Sequence, residues 1–143
     1  MVETMMKRVI SEYFGIQEDQ RDFFESHLMN NAVTNFVAKV KVIQAINKRA
    51  KFADLDAEMF LQLSSLRNTF AHQDPAEGIR LVGDGLDFPD VVMVVESMKS
   101  NGELRAISRD HAYATFLPCY AYCVKILEQM LATLGVNFTP MFD

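Results

Sequence analysis

Apolar residues recur every three or four positions through most of this chain, which is the pattern of helices that bury one face. The pattern predicts a short first helix over residues 4–14. Between about residues 18 and 48 it predicts either one long helix or two stacked helices. Asn30 and Asn31, two poor helix formers side by side, mark the place where a break would fall.

A third helix is predicted to begin at Asp54, a favourable N-cap residue, and to stop at Pro75. Its apolar stripe consists of Leu55, Met59, Leu63, Leu66 and Phe70. Arg67 and Asn68 lie off this stripe, so we expect them to be available to solvent, a partner chain or a substrate. A last helix, over about residues 109–134, carries two adjacent apolar rows. A face that wide needs two neighbouring helices, or one neighbour and a dimer partner.

The composition changes between residues 73 and 108, where glycine and proline interrupt the helical pattern. The β-branched run Val91–Val95 and the turn signal Asn101-Gly102 predict strands near residues 91–98 and 103–107, with a weaker third strand at 79–82. The predicted fold is therefore mostly α. It is an antiparallel four-helix-type bundle with a β-hairpin, or three short strands, inserted at about 76–108 of a single domain spanning residues 1–143.

Composition favours a globular protein without disulfides, since 50% of the 143 residues are hydrophobic and 23% are charged. No apolar run approaches the ~18 residues that span a bilayer, and no signal peptide is evident, so we expect a cytoplasmic protein without a membrane partner. Cys119 and Cys123, four residues apart in a helical segment, are expected to be reduced core thiols. The three histidines form no cluster with metal-ligand spacing, and we expect neither a metal nor a cofactor.

The net charge of −5 opposes non-specific binding to nucleic acid. The charge is unevenly distributed, however, because residues 26–53 contain no aspartate or glutamate. The basic residues of this segment are Lys39, Lys41, Lys48, Arg49 and Lys51. Two interpretations remain open for them: a basic strip that guides RNA, or an ordinary solvated helix face.

The strongest candidate chemistry lies at the end of the third helix, where Arg67 precedes His72 by five residues. Arginine binds phosphate through a fork of N–H donors, and histidine can transfer a proton near neutral pH. Five residues correspond to about 140° around an ideal helix, so these two side chains do not share a face. They would converge if the helix turns at His72, or if two chains each contribute. Asn68 and His72, four residues apart, do share a face.

The string Leu-Arg-Asn-Thr-Phe-Ala-His, residues 66–72, resembles the signature of the HEPN superfamily of small helical-bundle proteins. The resemblance implies a metal-independent endoribonuclease of toxin–antitoxin or other conflict systems, with catalytic Arg67, Asn68 and His72. It also implies a homodimer that binds RNA between two copies of these residues, and an antitoxin or other regulatory protein as a further partner. Some members carry a modifiable tyrosine two residues after the histidine, where this chain has Asp74.

A non-catalytic interpretation is compatible with the same residues. Arg67 would pair with a carboxylate such as Asp56, and His72 would cap the C-terminus of the helix, where a cation is favoured by roughly 0.3–1 kcal/mol. The chain would then be a helical interaction module, either a regulator or an accessory subunit of a larger complex. The position of the Arg67 and His72 side chains distinguishes the two interpretations.

Overall fold

The computed structural model describes residues 1–71, 79–82, 90–98 and 104–137, and over these residues the protein is mostly helical. The chain divides into two compact units, Met1–Leu61 with Cys119–Asp143, and Gln62–Pro118. Helices α4 and α5 contribute residues to both units. The elements are α1 (Val2–Tyr13), α2 (Glu18–Phe23), a π-helical turn (Phe24–Leu28), α3 (Phe36–Ala50), α4 (Ala57–Ala71), β1 (Ile79–Val82), β2 (Asp90–Met98), β3 (Leu104–Ser108) and α5 (Arg109–Thr133).

The core of the first unit is formed by one face each of α1, α3 and α5, together with Phe60 of α4, whereas α2 and the π-helical turn bury no residue. The side chains that are buried there are Met5, Met6, Val9 and Ile10 of α1, Val40, Ile43 and Ile46 of α3, and Ile126, Leu127, Met130 and Leu131 of α5. Helix α1 ends at Tyr13, before Gly15, whose φ of +66° is a left-handed conformation that glycine adopts without penalty. Gly135, with φ of +77°, follows the end of α5 in the same way.

Between residues 18 and 50, α2 and the π-helical turn form one continuous helical segment, and α3 forms a second one. The single long helix, one of the two predicted alternatives, is therefore not present. Asn30 forms the turn between the two segments, because its side-chain oxygen accepts the backbone N–H groups of Ala32 and Val33 at 2.9 and 3.0 Å. Asn35 then caps α3 by accepting the N–H of Ala38 at 2.9 Å. The predicted break at Asn30 is thus confirmed, and its cause is side-chain bonding to the local backbone.

Lys39 does not belong to an exposed basic strip, contrary to both interpretations considered from the sequence. Its side chain is completely buried, and the ammonium group donates to Glu3 at 2.7 Å and to Asn31 at 2.9 Å. Asn31 also donates to the other carboxylate oxygen of Glu3, at 3.2 Å. This triangle joins α1, the turn and α3, and it satisfies a charge that would be costly to bury alone.

The triangle makes stability depend on pH in a defined direction. Burial raises the pKa of the Glu3 carboxyl, but the hydrogen bonds from Lys39 and Asn31 and the charges of Lys39 and Lys7 outweigh it, so the pKa lies below its ordinary value of 4.5. A lowered folded-state pKa adds stability that is complete above about 4.5 and is lost as the pH falls through the folded-state pKa. We expect urea unfolding curves to show this loss in the wild type. A Glu3→Gln variant should lack that part of the pH dependence, and identical pH profiles would contradict the assignment.

The start of α4 corrects one prediction, since the helix begins at Ala57 and Asp54 is not its N-cap. The carboxylate of Asp56 accepts the N–H of Glu58 at 3.0 Å. Tyr122 of α5 fixes the preceding backbone: its hydroxyl accepts the N–H of Asp56 at 2.7 Å and donates to the carbonyl of Asp54 at 2.9 Å. A contact from a distant residue therefore sets where this helix starts.

The second unit contains three antiparallel strands in the order β1-β2-β3. Ile79 pairs with Met93 and Val82 with Asp90 in the first ladder. In the second ladder Val94 pairs with Ser108 and Met98 with Leu104. The predicted Asn101-Gly102 turn lies outside the described residues. No helix in the described part of the chain is long and apolar enough to cross a membrane.

Candidate functional site

Helix α4 carries two of the three predicted site residues, Arg67 and Asn68, in its last two turns. Leu63 and Leu66 are buried, whereas Arg67 and Asn68 are exposed, as their position off the apolar stripe predicted. His72 follows the last residue of the helix and lies outside the described residues. The structure therefore places Arg67 and Asn68 on the surface of α4, and the convergence of Arg67 with His72 stays a prediction.

The end of α4 is held in place by apolar contacts with the first half of α5. Leu66 and Ala112 form a buried pair, and Phe70, Ile107 and Phe116 pack against it. The Phe70 ring lies 5.2 Å from that of Tyr113 and meets the ring of Phe116 edge-on at 6.1 Å, measured between centroids. Because Leu66 and Phe70 flank Arg67 and Asn68 in the sequence, these contacts fix the backbone from which the polar side chains project.

A second arginine lies beside this aromatic cluster and was not singled out from the sequence. The guanidinium carbon of Arg109 is 5.7 Å from the centroid of the Tyr113 ring, within the range of a cation–π contact. Ser108 begins α5 by accepting the N–H of His111 at 3.2 Å. The four-residue spacing of Arg109 and Tyr113 on a helix was the available signal, because residues four apart are neighbours on the helix surface.

The cysteines offer no nucleophile. Both are unbridged and buried, which confirms the prediction of reduced core thiols. Burial raises the pKa of the Cys119 thiol. Burial, together with the charge of the neighbouring Cys119, raises the pKa of Cys123 to about 12. Thiolate, the reactive form of cysteine, is therefore scarce at neutral pH.

This arrangement predicts that neither thiol reacts with a disulfide reagent such as DTNB while the protein is folded. Both should react at once in denaturing urea, because unfolding exposes them and returns their pKa to ordinary values. The measurement is the absorbance change in buffer and in urea near pH 8. Stoichiometric labelling of the folded protein within minutes would contradict the described burial.

The described residues give little support for a metal site or for a second catalytic histidine. Among them, no group of three or more histidine, cysteine, aspartate or glutamate side chains is placed to hold a metal ion. His27 stacks on Phe23, with ring centroids 4.7 Å apart and an interplanar angle of 14°. The stacking contact is a structural role for His27, and we assign this residue no role in catalysis.

Comparison of the chain with protein-family models, with curated proteins and with solved structures finds no match in any of the three.

Proposed function

We propose that this protein is a metal-independent, HEPN-like endoribonuclease that acts as a homodimer, with Arg67, Asn68 and His72 as its catalytic residues. The observation that carries the proposal is the exposure of Arg67 and Asn68 on the anchored end of α4, immediately before His72 in the sequence. Because the backbone there is already ordered, binding of a phosphate by Arg67 would have to order only its side chain. The wider proposal is a toxin or conflict-system effector that an antitoxin-like protein holds in check.

The proposed reaction is an internal transesterification of RNA. His72 removes the proton of a ribose 2′-hydroxyl, the 2′-oxygen attacks the adjacent phosphorus, and the bond to the 5′-oxygen of the next nucleotide breaks. That oxygen receives a proton from a His72 imidazolium of the proposed dimer, so the products are a 2′,3′-cyclic phosphate and a 5′-hydroxyl. Arg67 balances the charge that grows on the phosphorane oxygens, and Asn68 positions the phosphate or the imidazole. No metal takes part.

A dimer is part of the proposal for two reasons. Arg67 and His72 are about 140° apart on an ideal helix, and a second chain could supply the missing partner. In addition, part of the apolar surface of α5 is exposed. Its row of Cys119, Cys123, Ile126 and Met130 is buried, while Tyr113 and Leu117 are 46% and 59% exposed. Large exposed apolar side chains four residues apart suit a helix–helix contact with a second copy.

We also propose that the helices of one chain form an antiparallel bundle, into which a β-hairpin is inserted before the last helix.

The test is incubation of the purified protein with structured and unstructured RNA in a chelator, followed by mapping of the ends. The proposal expects cleavage with cyclic-phosphate and 5′-hydroxyl ends. A matched RNA with a 2′-deoxy nucleotide at the mapped position should resist cleavage there, because the nucleophile is missing. Absence of cleavage, cleavage only with a divalent metal, or cleavage of the deoxy substrate would each refute the mechanism.

The second candidate function, a helical interaction module, is favoured by a different observation. Large apolar side chains are exposed along residues 14–37, where a soluble domain usually buries them. They are Phe14, Phe23, Leu28, Val33 and Val37. Such a surface suits a protein partner, either a larger complex or a regulatory protein. It does not require Arg67 or His72 to take part in chemistry, so the RNA cleavage assay separates this candidate from the first.

A further inference from the structure

Helix α3 presents basic side chains along its exposed side. Lys41 and Lys48 are both exposed and are seven residues apart, which places them within about 20° of each other and about 10 Å apart along the helix axis. Arg49, also exposed, lies about 80° from Lys41 around the same helix. Lys51 is exposed in the turn that follows. We call these four residues, Lys41, Lys48, Arg49 and Lys51, the α3 basic surface.

The charges of this surface are not neutralised by ion pairs in the described part of the chain. The ion pairs there involve Arg8, Arg21 and Lys39 with Glu3, Glu12 and Glu18, and none includes a member of the α3 basic surface. The nearest acidic residue in the sequence is Asp54, which is exposed and forms no ion pair with a member of the surface in the described part of the chain. The next, Asp56, bonds the start of α4. The absence of acidic residues from 26 to 53 thus leaves a local positive surface on an acidic protein.

The turn that carries Lys51 is held rigidly. Asn47 bonds Ala53 twice, donating to its carbonyl at 2.8 Å and accepting its N–H at 3.0 Å. The N–H of Lys51 donates to the carbonyl of Asn47 at 2.7 Å, and Lys51 itself has a φ of +53°. This left-handed conformation favours glycine, so a lysine is kept there against local backbone preference. The backbone that presents the last three charges is therefore preorganised.

The helix dipole explains only part of this arrangement. Cations near the C-terminus of a helix are stabilising, which accounts for Lys48 and Arg49 in the last turn of α3. The effect fades within one turn and does not account for Lys41 in the middle of the helix. A ligand with negative charges spaced along its length would contact Lys41 and the helix end together.

We propose that the α3 basic surface binds the phosphate backbone of single-stranded RNA. Apart from Val37, which is 40% exposed on the same side of α3, the exposed neighbours of this surface on α3 are polar or small, so it offers one apolar side chain and no aromatic one where protein interfaces and membrane-binding helices present several. A regular polyanion needs no such anchors, because its affinity comes from released counterions. The net charge of −5 does not prevent this, because screening at physiological salt limits each charge to about 8 Å.

The choice of RNA as the ligand rests on the proposed ribonuclease function, but binding and cleavage can fail separately. A short single-stranded 2′-O-methyl oligonucleotide serves as the probe, because it carries RNA phosphates and has no 2′-hydroxyl to react. Binding is measured by fluorescence anisotropy between about 50 and 200 mM salt. Four phosphate contacts on a single strand predict a slope of about −3 for log K against log salt, or about a 50-fold loss over this range.

The decisive comparison uses two variants with the same net charge. Lys41→Gln/Lys48→Gln removes two contacts, which should reduce the slope by about 1.4 and weaken binding about 25-fold at 0.1 M salt. Lys7→Gln/Lys125→Gln removes two positive charges from α1 and α5 and should bind nearly as the wild type does. Circular dichroism and urea midpoints confirm that both variants are folded.

Three results would overturn the proposal: no binding at low salt, an equal loss of affinity in both variants, or binding that does not depend on salt. An oligoglutamate peptide and vesicles of anionic lipid test the other polyanions. If either binds as tightly as the oligonucleotide and with the same dependence on Lys41 and Lys48, the assignment to nucleic acid is wrong. If binding follows the prediction while natural RNA is not cleaved, the surface stands and the ribonuclease proposal fails.

Discussion

Replacing Lys39 with methionine is expected to lower the free energy of unfolding by about 3 kcal/mol, which is a large part of the stability of a small domain. The ammonium of Lys39 is completely buried and is the main partner of the Glu3 carboxylate, at 2.7 Å. Methionine fills a similar volume but removes the ammonium that donates to both the Glu3 carboxylate and the Asn31 oxygen, so the carboxylate keeps the hydrogen bond from Asn31 and loses the charge of Lys39. We place the loss at the lower end of the range for broken buried pairs, because the Glu3 side chain keeps 20% of its exposure to water. Urea denaturation of the purified variant measures it.

The matched control is Lys41→Met, two residues further along the same helix, where the lysine is exposed. That variant should change the stability by less than about 0.5 kcal/mol. A double variant, Glu3→Gln/Lys39→Met, should be more stable than the sum of the two single losses implies. The reason is that it also removes the Glu3 charge, which Lys39→Met alone leaves without the ammonium. Equal effects of Lys39→Met and Lys41→Met would show that the buried ion pair contributes nothing to folding.

The burial of Lys39 was only partly predictable from the sequence. Its spacing from Ile43 and Ile46 places it on the buried side of α3, and in that sense the signal was present. A lysine in the middle of an otherwise basic segment nevertheless indicates a solvated position, because lysine is almost never fully buried without a partner. The partner is Glu3, 36 residues away in the sequence. No local pattern predicts a contact at that distance.

Local signals predicted most of the helices. The predicted ends of the first and last helices, at residues 14 and 134, lie one residue beyond the observed ends, and each is followed by a glycine with positive φ, Gly15 or Gly135. The break at Asn30 was predictable because its side chain bonds its own backbone neighbours. The N-cap of α4 was wrong by two residues for the opposite reason. Asp54 is a good cap in isolation, but the hydroxyl of Tyr122, 68 residues away, bonds its carbonyl and the N–H of Asp56 instead.

For the candidate site, too, local spacing predicted some features and contacts between distant residues decided the others. The exposure of Arg67 and Asn68 followed from the 3.6-residue period alone, and the structure confirms it. The aromatic contacts of Phe70 with Tyr113 join residues far apart in the sequence, so the period could not predict what fixes the end of α4. The relation of Arg67 to His72 involves residues outside the described part and, in the proposed homodimer, a second copy of the chain. It therefore stays a prediction, and its test is functional.

Arg67→Ala and His72→Ala are expected to reduce RNA cleavage more than any other single changes in this chain. Loss of the general acid–base should cost about 10²–10⁴-fold in His72→Ala, and loss of a charge-stabilising donor about 10²–10³-fold in Arg67→Ala. Arg67→Lys should recover part of the activity, because it restores the charge without the bidentate fork. Single-turnover cleavage rates in chelator measure these losses, and growth arrest on expression should disappear in parallel.

The controls are an arginine and a histidine outside the site. Arg8 is half-buried and pairs with Glu12, which also pairs with Arg21 and so keeps a cation when Arg8 is removed. His27 is exposed and stacks on Phe23. Arg8→Ala and His27→Ala should each keep cleavage within about threefold of the wild type, because surface substitutions usually change stability by less than about 0.5 kcal/mol. If cleavage or growth arrest persists in Arg67→Ala and His72→Ala, the activity belongs to other residues and the catalytic assignment is wrong.

Mixing the two inactive variants tests the proposed dimer, because Arg67 and His72 would lie about 140° apart on an ideal helix. If each site takes its arginine from one chain and its histidine from the other, a mixed dimer of Arg67→Ala and His72→Ala contains one intact site and one doubly damaged site. Random exchange makes about half the dimers mixed, so about a quarter of wild-type activity should return. If both residues come from one chain, every site in every dimer is damaged and no activity returns. Restored activity would therefore show that the two chains complete each other's sites, and continued inactivity would place the pair within one chain.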